Sequence, residues 1–138
     1  MQIHQSAEDY LETILMLTQR MGRVRSIDVV NELGYTKASV SIAMKKLREN
    51  GYIAVDGEGN LTLLEPGREI AERIYSRHRL LTHFFVQLGV DEEVAAEDAC
   101  KAEHILSEQT LGKIREYALL HDCLLYTSDA ADDLLCVD

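Results

Sequence analysis

A series of short amphipathic segments, each followed by a glycine, places the strongest constraint on how this chain folds. Apolar residues recur at helical spacing in three such segments, and Gly22, Gly34 and Gly51 follow them in turn. Ser26 and Thr36 are suitable N-terminal caps for the second and third segments. Because only a tight turn separates these two segments, we predict a helix-turn-helix supported by a preceding helix.

Two β-prone runs come directly after the third helix. Residues 52–55 and 61–64 flank a turn rich in glycine and acidic residues. This pattern predicts a β-hairpin. A hairpin at this place makes the domain a winged helix-turn-helix.

The rest of the chain is predicted to be helical. Capping residues and apolar spacing divide it into three further helices. We therefore predict a mainly α fold, with a winged helix-turn-helix over residues 1–70 and a helical domain over residues 71–122. The three helices are predicted from Pro66 to about Leu88, from Asp91 to about Leu106, and from Ser107 onward.

The charge of the chain is unevenly distributed. The formal net charge is −10, but the segment from Arg20 to Arg48 holds seven basic residues and two acidic ones. A surface field acts within about 10 Å at ordinary salt, so a basic segment of an acidic protein can bind a polyanion such as DNA. The alternative is a solvated helix face without a partner.

The start of the third helix carries groups that suit DNA. Short hydroxyls and helix N-terminal N–H groups suit phosphates, and small apolar surfaces suit thymine methyl groups. No Arg or Asn there offers a bidentate base contact, so we expect DNA shape to supply much of the specificity. The candidate DNA-binding residues are Arg25, Thr36, Lys37, Ala38, Ser39, Ser41, Ile42, Lys45 and Lys46.

Cys100, Glu103 and His104 offer three metal-capable side chains at positions i, i+3 and i+4. On a helix these positions share one face, and a thiolate, a carboxylate and an imidazole together suit a divalent transition metal. Asp9 and Glu12 repeat the i, i+3 spacing on the first helix. The alternatives are a half-buried helix face around Glu103 and an acid pair that only stabilises a helix N-terminus.

Several classes of protein do not fit the sequence. The three cysteines lack zinc-finger spacing, and no apolar run is long enough to span a bilayer. No signal peptide opens the chain, so we expect a cytoplasmic protein. No general base or nucleophile accompanies the metal-type cluster, so we expect a regulator and not an enzyme.

Four segments together resemble the diphtheria toxin repressor family of metal-dependent transcription regulators, and within it the manganese transport regulators. They are AEDYLETI at residues 7–14, KASVS at 37–41, RHRLL at 77–81 and ACKAEHILS at 99–107. The resemblance covers residues 7–121. It implies that residues 71–122 form a metal-binding and dimerisation domain.

The resemblance also implies a ligand set. Asp9, Glu12, His78, Glu103 and His104 fall on metal-binding positions of the manganese branch, whereas Glu8 is expected to be solvated. The sixth candidate, Cys100, stands where the manganese branch has glutamate and the iron branch has cysteine. The oxygens of Asp9 and Glu12 favour Mn²⁺, whereas a thiolate at Cys100 favours Fe²⁺, Co²⁺ or Zn²⁺. We expect Mn²⁺ first and Fe²⁺ second, with Zn²⁺ or Co²⁺ able to bind in vitro.

The function implied by the resemblance is that of a homodimeric repressor of metal uptake genes. Its partner is a double-stranded DNA operator, with no role for a membrane or a small organic substrate. A metal joining the first helix to the helical half would set the separation of the two recognition helices. The alternative is a winged-helix regulator that ignores metals.

Residues 123–138 depart from the pattern of the last helix. The run from Cys123 resembles the translation of a transposon-type sequencing adapter, and we expect this tail to be non-native. The alternative is a natural acidic tail, since four of the 24 acidic residues fall within the last ten positions.

Overall fold

The structure is a computed structural model that describes the backbone of residues 5–125 and the side chains of residues 5–121. The predicted tail therefore lies almost entirely outside the described residues. The chain divides into two compact units between Ile74 and Tyr75, within a continuous helix. The elements are α1 (Gln5–Met21), α2 (Ser26–Leu33), α3 (Lys37–Glu49), β1 (Ile53–Val55), β2 (Leu61–Leu63), α4 (Glu65–Gln87), α5 (Glu92–Ala102) and α6 (Glu108–Leu125).

The first unit contains α1, α2, α3, the hairpin and the first part of α4. The hairpin is antiparallel, and Ala54 pairs with Thr62 at its centre. The predicted winged helix-turn-helix is confirmed in this unit. Its core is formed by apolar side chains with almost no exposed surface, among them Leu11, Ile14, Val29, Val40 and Ile53.

The turn between α2 and α3 follows from two local interactions. Gly34 adopts a left-handed conformation with φ of 72°, and its N–H donates to the carbonyl oxygen of Val30 at 2.8 Å. Oγ1 of Thr36 then accepts a hydrogen bond from the N–H of Ser39 at 3.1 Å. These bonds end α2 and begin α3, so Thr36 is the predicted cap.

The start of α2 differs from the sequence-based expectation. Arg25, and not Ser26, is the N-cap residue, with extended backbone angles. Its N–H donates to Oδ2 of Asp28 at 2.9 Å, and it forms an isolated β-bridge with Asn60 of the wing turn. Because this bridge holds Arg25 in an extended conformation, the helix begins at Ser26 itself, one residue earlier than a cap at Ser26 would imply.

Close backbone approach fixes the wing against the start of α4. A Cβ atom on Gly67 would lie 2.2 Å from the carbonyl oxygen of Tyr52. That oxygen also accepts the N–H of Leu64 at 2.9 Å. Only glycine fits at position 67, since any side chain would force the hairpin away from the helix.

The second unit contains the rest of α4 together with α5 and α6. Its core is formed by Leu80, Leu81, Ala99, Leu111 and Ala118. The structure thus has the mainly α fold that the sequence predicts, with a helical second unit after the winged helix-turn-helix.

Helix α5 ends earlier than predicted. The sequence pattern carries it to about Leu106, but its last helical residue is Ala102. The N–H groups of Ile105 and Leu106 both donate to the carbonyl oxygen of Ala102, at 3.1 and 3.2 Å. Oγ of Ser107 then caps the next helix, as expected, by accepting the N–H of Thr110 at 3.1 Å. A non-helical turn therefore separates the two helices.

Candidate metal centre and DNA-binding surface

Two candidate ligands lie on α1 in the first unit. Asp9 is half-buried, and Glu12 is buried with 5% of its surface exposed. Both side chains take part in polar interactions. Helical spacing of three residues places both carboxylates on one face of α1. This face of α1 therefore presents two carboxylates that could coordinate a metal and that are largely shielded from water.

Glu8 does not behave as a solvated residue. Its side chain is 14% exposed and forms an ion pair with Arg73, with an Nη2–Oε2 distance of 3.5 Å. The expectation that Glu8 is solvated is therefore wrong. The reason is tertiary, since Arg73 comes from α4 and covers a position that the α1 pattern leaves at the surface.

The second unit holds a carboxylate between two imidazoles. Oε1 of Glu103 lies 2.9 Å from Nδ1 of His78, and Oε2 lies 3.5 Å from Nε2 of His104. Glu103 has no exposed surface, and the His104 side chain is 1% exposed. A carboxylate and two imidazoles gathered in a buried position are a donor set that suits a divalent transition metal.

Arg77 is a residue of this region that the sequence analysis did not select. Its Nη1 donates to the main-chain carbonyl oxygen of Glu103 at 3.1 Å, and its guanidinium forms an ion pair with Glu108. The side chain is 15% exposed. Its place in the RHRLL segment beside His78 is a sequence signal, but its partners cannot be read from the pattern because they are distant in the chain.

Cys100 occupies a different environment from Glu103. It is exposed on α5, whereas Glu103 is fully buried just after the helix end. The α-helix ends at Ala102, so Glu103 and His104 lie in the following turn and not on the same helix as Cys100. The assignment of Cys100 as a ligand stays a prediction.

The predicted DNA-binding residues of α3 and its cap form one exposed surface. Val40, Met44 and Leu47 are buried in the core, so the other side of the helix faces solvent. On this solvent-facing side, Ile42 is 59% exposed. The exposed set, with the cap residue first, is Thr36, Lys37, Ala38, Ser39, Ser41, Ile42, Lys45 and Lys46.

Arg25 lies at the junction of the wing and α2. Its backbone bridges to Asn60, and Nη2 of its guanidinium lies 3.2 Å from the position of a Cβ atom on Gly59. Gly59 has a positive φ of 86°. The exposed guanidinium of Arg25 therefore lies beside the wing turn, in the same unit as the exposed face of α3.

Comparison with known protein families finds a matching family model for each of the two parts of the chain. A model described as the N-terminal DNA binding domain of iron dependent repressors matches residues 2–61. A model described as the metal binding and dimerisation domain of iron dependent repressors matches residues 64–123. The chain belongs to the iron-dependent repressor family. It therefore has the domains of a metal-dependent transcriptional regulator and not those of an enzyme, as the sequence predicts.

Similar proteins occur in archaea and bacteria. The chain is 35% identical over 113 residues to an uncharacterized HTH-type transcriptional regulator of Methanocaldococcus jannaschii, covering 80% of this chain and 90% of that protein. It is also 35% identical over 109 residues to the HTH-type transcriptional regulator MntR of Bacillus subtilis, covering 79% of this chain and 77% of that protein. These relatives agree with the predicted manganese regulator branch.

Solved structures share the fold. A manganese-dependent transcriptional repressor in complex with manganese superimposes with a TM-score of 0.75 at 28% identity, covering 81% of this chain and 52% of that chain. The IdeR protein of T. acidophilum gives a TM-score of 0.74 at 23% identity, covering 85% of this chain and 55% of that chain. The chain spans about half the length of these solved proteins. Among its described helices, none is long and apolar enough to cross a membrane.

Proposed function

We propose that this family member is a homodimeric repressor of metal uptake genes, activated by Mn²⁺ and, second in preference, by Fe²⁺. The observation that carries the proposal is the fully buried carboxylate of Glu103, in contact with the imidazoles of His78 and His104. Burying a carboxylate costs several kcal/mol unless charged or polar partners compensate for the lost water. A divalent cation is a strong compensating partner for such a group.

The proposed ligand set combines both units. Asp9 and Glu12 would supply oxygens from α1, and His78, Glu103 and His104 would supply two nitrogens and an oxygen. Oxygen-rich sets with imidazole suit Mn²⁺ and Fe²⁺. By the Irving–Williams order, the same ligand set has a higher affinity for Zn²⁺ than for Mn²⁺. Selection of Mn²⁺ in the cell would therefore depend on coordination geometry and on metal availability.

Cys100 belongs to the proposal as the soft member of the set. A coordinating thiolate favours Fe²⁺, Co²⁺ or Zn²⁺ over Mn²⁺. Cys100 is exposed on α5, and its inclusion in the set follows from the resemblance to the family. In the proposed set a Cys100 thiolate would shift the metal preference, while the buried carboxylate and imidazoles would be the main source of affinity.

The proposed mechanism is linkage between metal and DNA binding. A single ion that takes ligands from the first unit and from the second would favour one arrangement of the two units. In a homodimer that arrangement would place the two α3 helices at the spacing of successive major grooves. Metal then acts by binding the DNA-competent state more tightly than the other state.

DNA recognition would rely strongly on phosphate contacts and DNA shape. The N-terminal end of α3 offers Thr36, Ser39 and backbone N–H groups, and Lys45 and Lys46 lie further along its exposed face. Such groups position a protein on the duplex and carry little direct sequence information. The exposed Ile42 and Ala38 are suited to contact thymine methyl groups.

The experiment is a DNA-binding titration with a duplex selected from a random-sequence pool in the presence of Mn²⁺. Its affinity for the full chain is measured in EDTA and with Mn²⁺, Fe²⁺ and Zn²⁺. We expect the metal to raise the affinity about 5–150-fold, the usual range of allosteric coupling. Equal affinity in EDTA and with all three metals would instead favour the metal-independent winged-helix regulator.

A further inference from the structure

We propose that Arg77 is a positioning residue for the metal centre, which holds the turn after α5 in the conformation that presents Glu103 and His104. This inference rests on the proposed metal site. It concerns a residue outside the ligand set, and the two polar contacts that support it lie within the second unit.

The two contacts of Arg77 join both sides of the turn. Nη1 donates to the carbonyl oxygen of Glu103 at the start of the turn, at 3.1 Å. The guanidinium also pairs with the carboxylate of Glu108, the first residue of α6. The planar guanidinium offers several N–H groups in a fixed geometry, so one side chain can hold two acceptors at a set separation.

The turn needs such a partner because it contains the end of a helix. The last carbonyl oxygens of an α-helix find no N–H donor within the helix, so they need donors from elsewhere. The carbonyl oxygen of Ala102 is used by the N–H groups of Ile105 and Leu106. The carbonyl oxygen of Glu103 is used by Arg77, which is a charged donor and forms a stronger bond than a neutral one.

Arg77 and His78 act on the same residue from adjacent positions of α4. Arg77 binds the main chain of Glu103, and Nδ1 of His78 lies 2.9 Å from the Glu103 side chain. One contact fixes where the backbone of Glu103 lies, and the other fixes how its carboxylate is oriented. Together they leave the proposed ligand little freedom before an ion binds.

Glu108 has a second effect on the site. An arginine beside a cation-binding centre would oppose the ion by electrostatic repulsion. The Glu108 carboxylate pairs with the guanidinium and compensates that positive charge. Arg77 can therefore organise the turn without weakening the affinity for Mn²⁺.

The test compares Mn²⁺ binding to the full chain by calorimetry for the wild type and for Arg77→Ala, Arg77→Lys and Arg68→Ala. Residues outside the coordination sphere that orient ligands typically contribute 10–100-fold to metal affinity, so we expect Arg77→Ala to lose about that much. Arg77→Lys should lie in between, because an ammonium cannot reproduce the two-acceptor fork. Arg68→Ala is the matched control, since it removes an exposed ion pair with Glu72 on the same helix.

A second measurement needs no metal. Amide hydrogen exchange of Ile105 and Leu106 in EDTA should accelerate in Arg77→Ala and stay at the wild-type rate in Arg68→Ala, because only the first change releases the turn. If Arg77→Ala does not fold, Arg77→Lys and Glu108→Gln provide the same comparison.

The outcomes separate the inference from the proposed function. If wild type and Arg77→Ala bind Mn²⁺ equally well and the turn amides exchange at the same rate in both, the role of Arg77 is overturned and the metal site stands. Wild-type protein that binds no Mn²⁺, Fe²⁺ or Zn²⁺ would overturn the proposed metal site and this inference together.

Discussion

Nδ1 of His78 lies 2.9 Å from Oε1 of Glu103, across 25 positions of sequence. Glu103 has no exposed surface, and this contact gives its carboxylate a partner in place of water. His78 lies on α4 and Glu103 lies in the turn after α5, so the contact depends on the packing of α4 beside the end of α5. Metal chemistry in this protein is thus expected to depend on Glu103 more than on any exposed acid nearby.

The first prediction concerns that carboxylate. Glu103→Gln keeps the shape of the side chain and removes its charge, so the chain should lose metal-activated DNA binding. His104→Ala should have the same effect, since it removes a nitrogen donor. The measurement is DNA affinity with and without Mn²⁺, alongside a thermal melt in EDTA to verify folding.

Glu97→Gln is the matched control for this prediction. Glu97 is an exposed acid on α5, outside the proposed ligand set. Metal activation should be unchanged in this variant. Full metal response in both Glu103→Gln and His104→Ala would remove these residues from the mechanism.

The second prediction concerns metal preference. In the proposed ligand set Cys100 would supply the only soft donor, so Cys100→Glu should shift the preference toward Mn²⁺ and away from Zn²⁺. Calorimetric titration of both metals into both proteins gives the affinity ratio. An unchanged ratio would mean that the Cys100 thiolate does not coordinate the ion.

The third prediction concerns the wing turn. Gly59 has a φ of 86°, and a Cβ atom there would lie 3.2 Å from Nη2 of Arg25. Gly59→Ala should therefore lower the free energy of unfolding by about 1–2 kcal/mol, the usual strain of a left-handed residue. It should also weaken DNA binding, because the guanidinium of Arg25 must move.

Gly57→Ala provides the comparison in the same turn. Nothing lies within 4 Å of the position that its Cβ would occupy. Unfolding free energy and DNA affinity should both remain near wild type in this variant, as followed by urea denaturation and by titration with the selected duplex. Equal losses in the two variants would contradict the role assigned to Gly59 and Arg25.

The fourth prediction concerns acid stability. The Asp56 carboxylate accepts the backbone N–H of Asn60 at 2.8 Å and that of Glu58 at 2.9 Å. The bonds from Asn60 are the main cause that lowers the pKa of Asp56 below its ordinary value of 3.8. A lowered pKa in the folded state means that this contribution to stability is complete above about pH 3.8 and is lost as the pH falls through the folded-state pKa.

Asp56→Asn should accordingly be less stable than wild type at neutral pH. The difference in unfolding free energy should shrink as the pH falls below about 3.8. Urea denaturation across a pH series measures it. Glu58→Gln is the control, because it removes a carboxylate from the same turn and keeps Asp56. A stability difference that stays constant down to the lowest pH would show that the Asp56 hydrogen bonds do not depend on its charge.

The helices and the winged domain were accessible from sequence because their signals are local. Gly34 and Thr36 determine the turn and the start of α3 through bonds that span at most four residues. The same holds for Ser107 at the start of α6. By contrast, the sequence predicts Ser26 as the cap of α2, whereas the structure has Arg25. The pattern misses this because the bridge from Arg25 to Asn60 connects residues far apart in the chain.

The family, the order of elements and the residue types able to bind a metal can be read from the sequence, because helical periodicity, caps and ligand chemistry are properties of short segments. Three contacts follow only from tertiary packing: the burial of Glu103 against His78, the bond from Arg77 to the turn after α5, and the ion pair of Glu8 with Arg73. Each of these contacts joins residues at least 25 positions apart, and such distances close only when the apolar faces of the helices pack together.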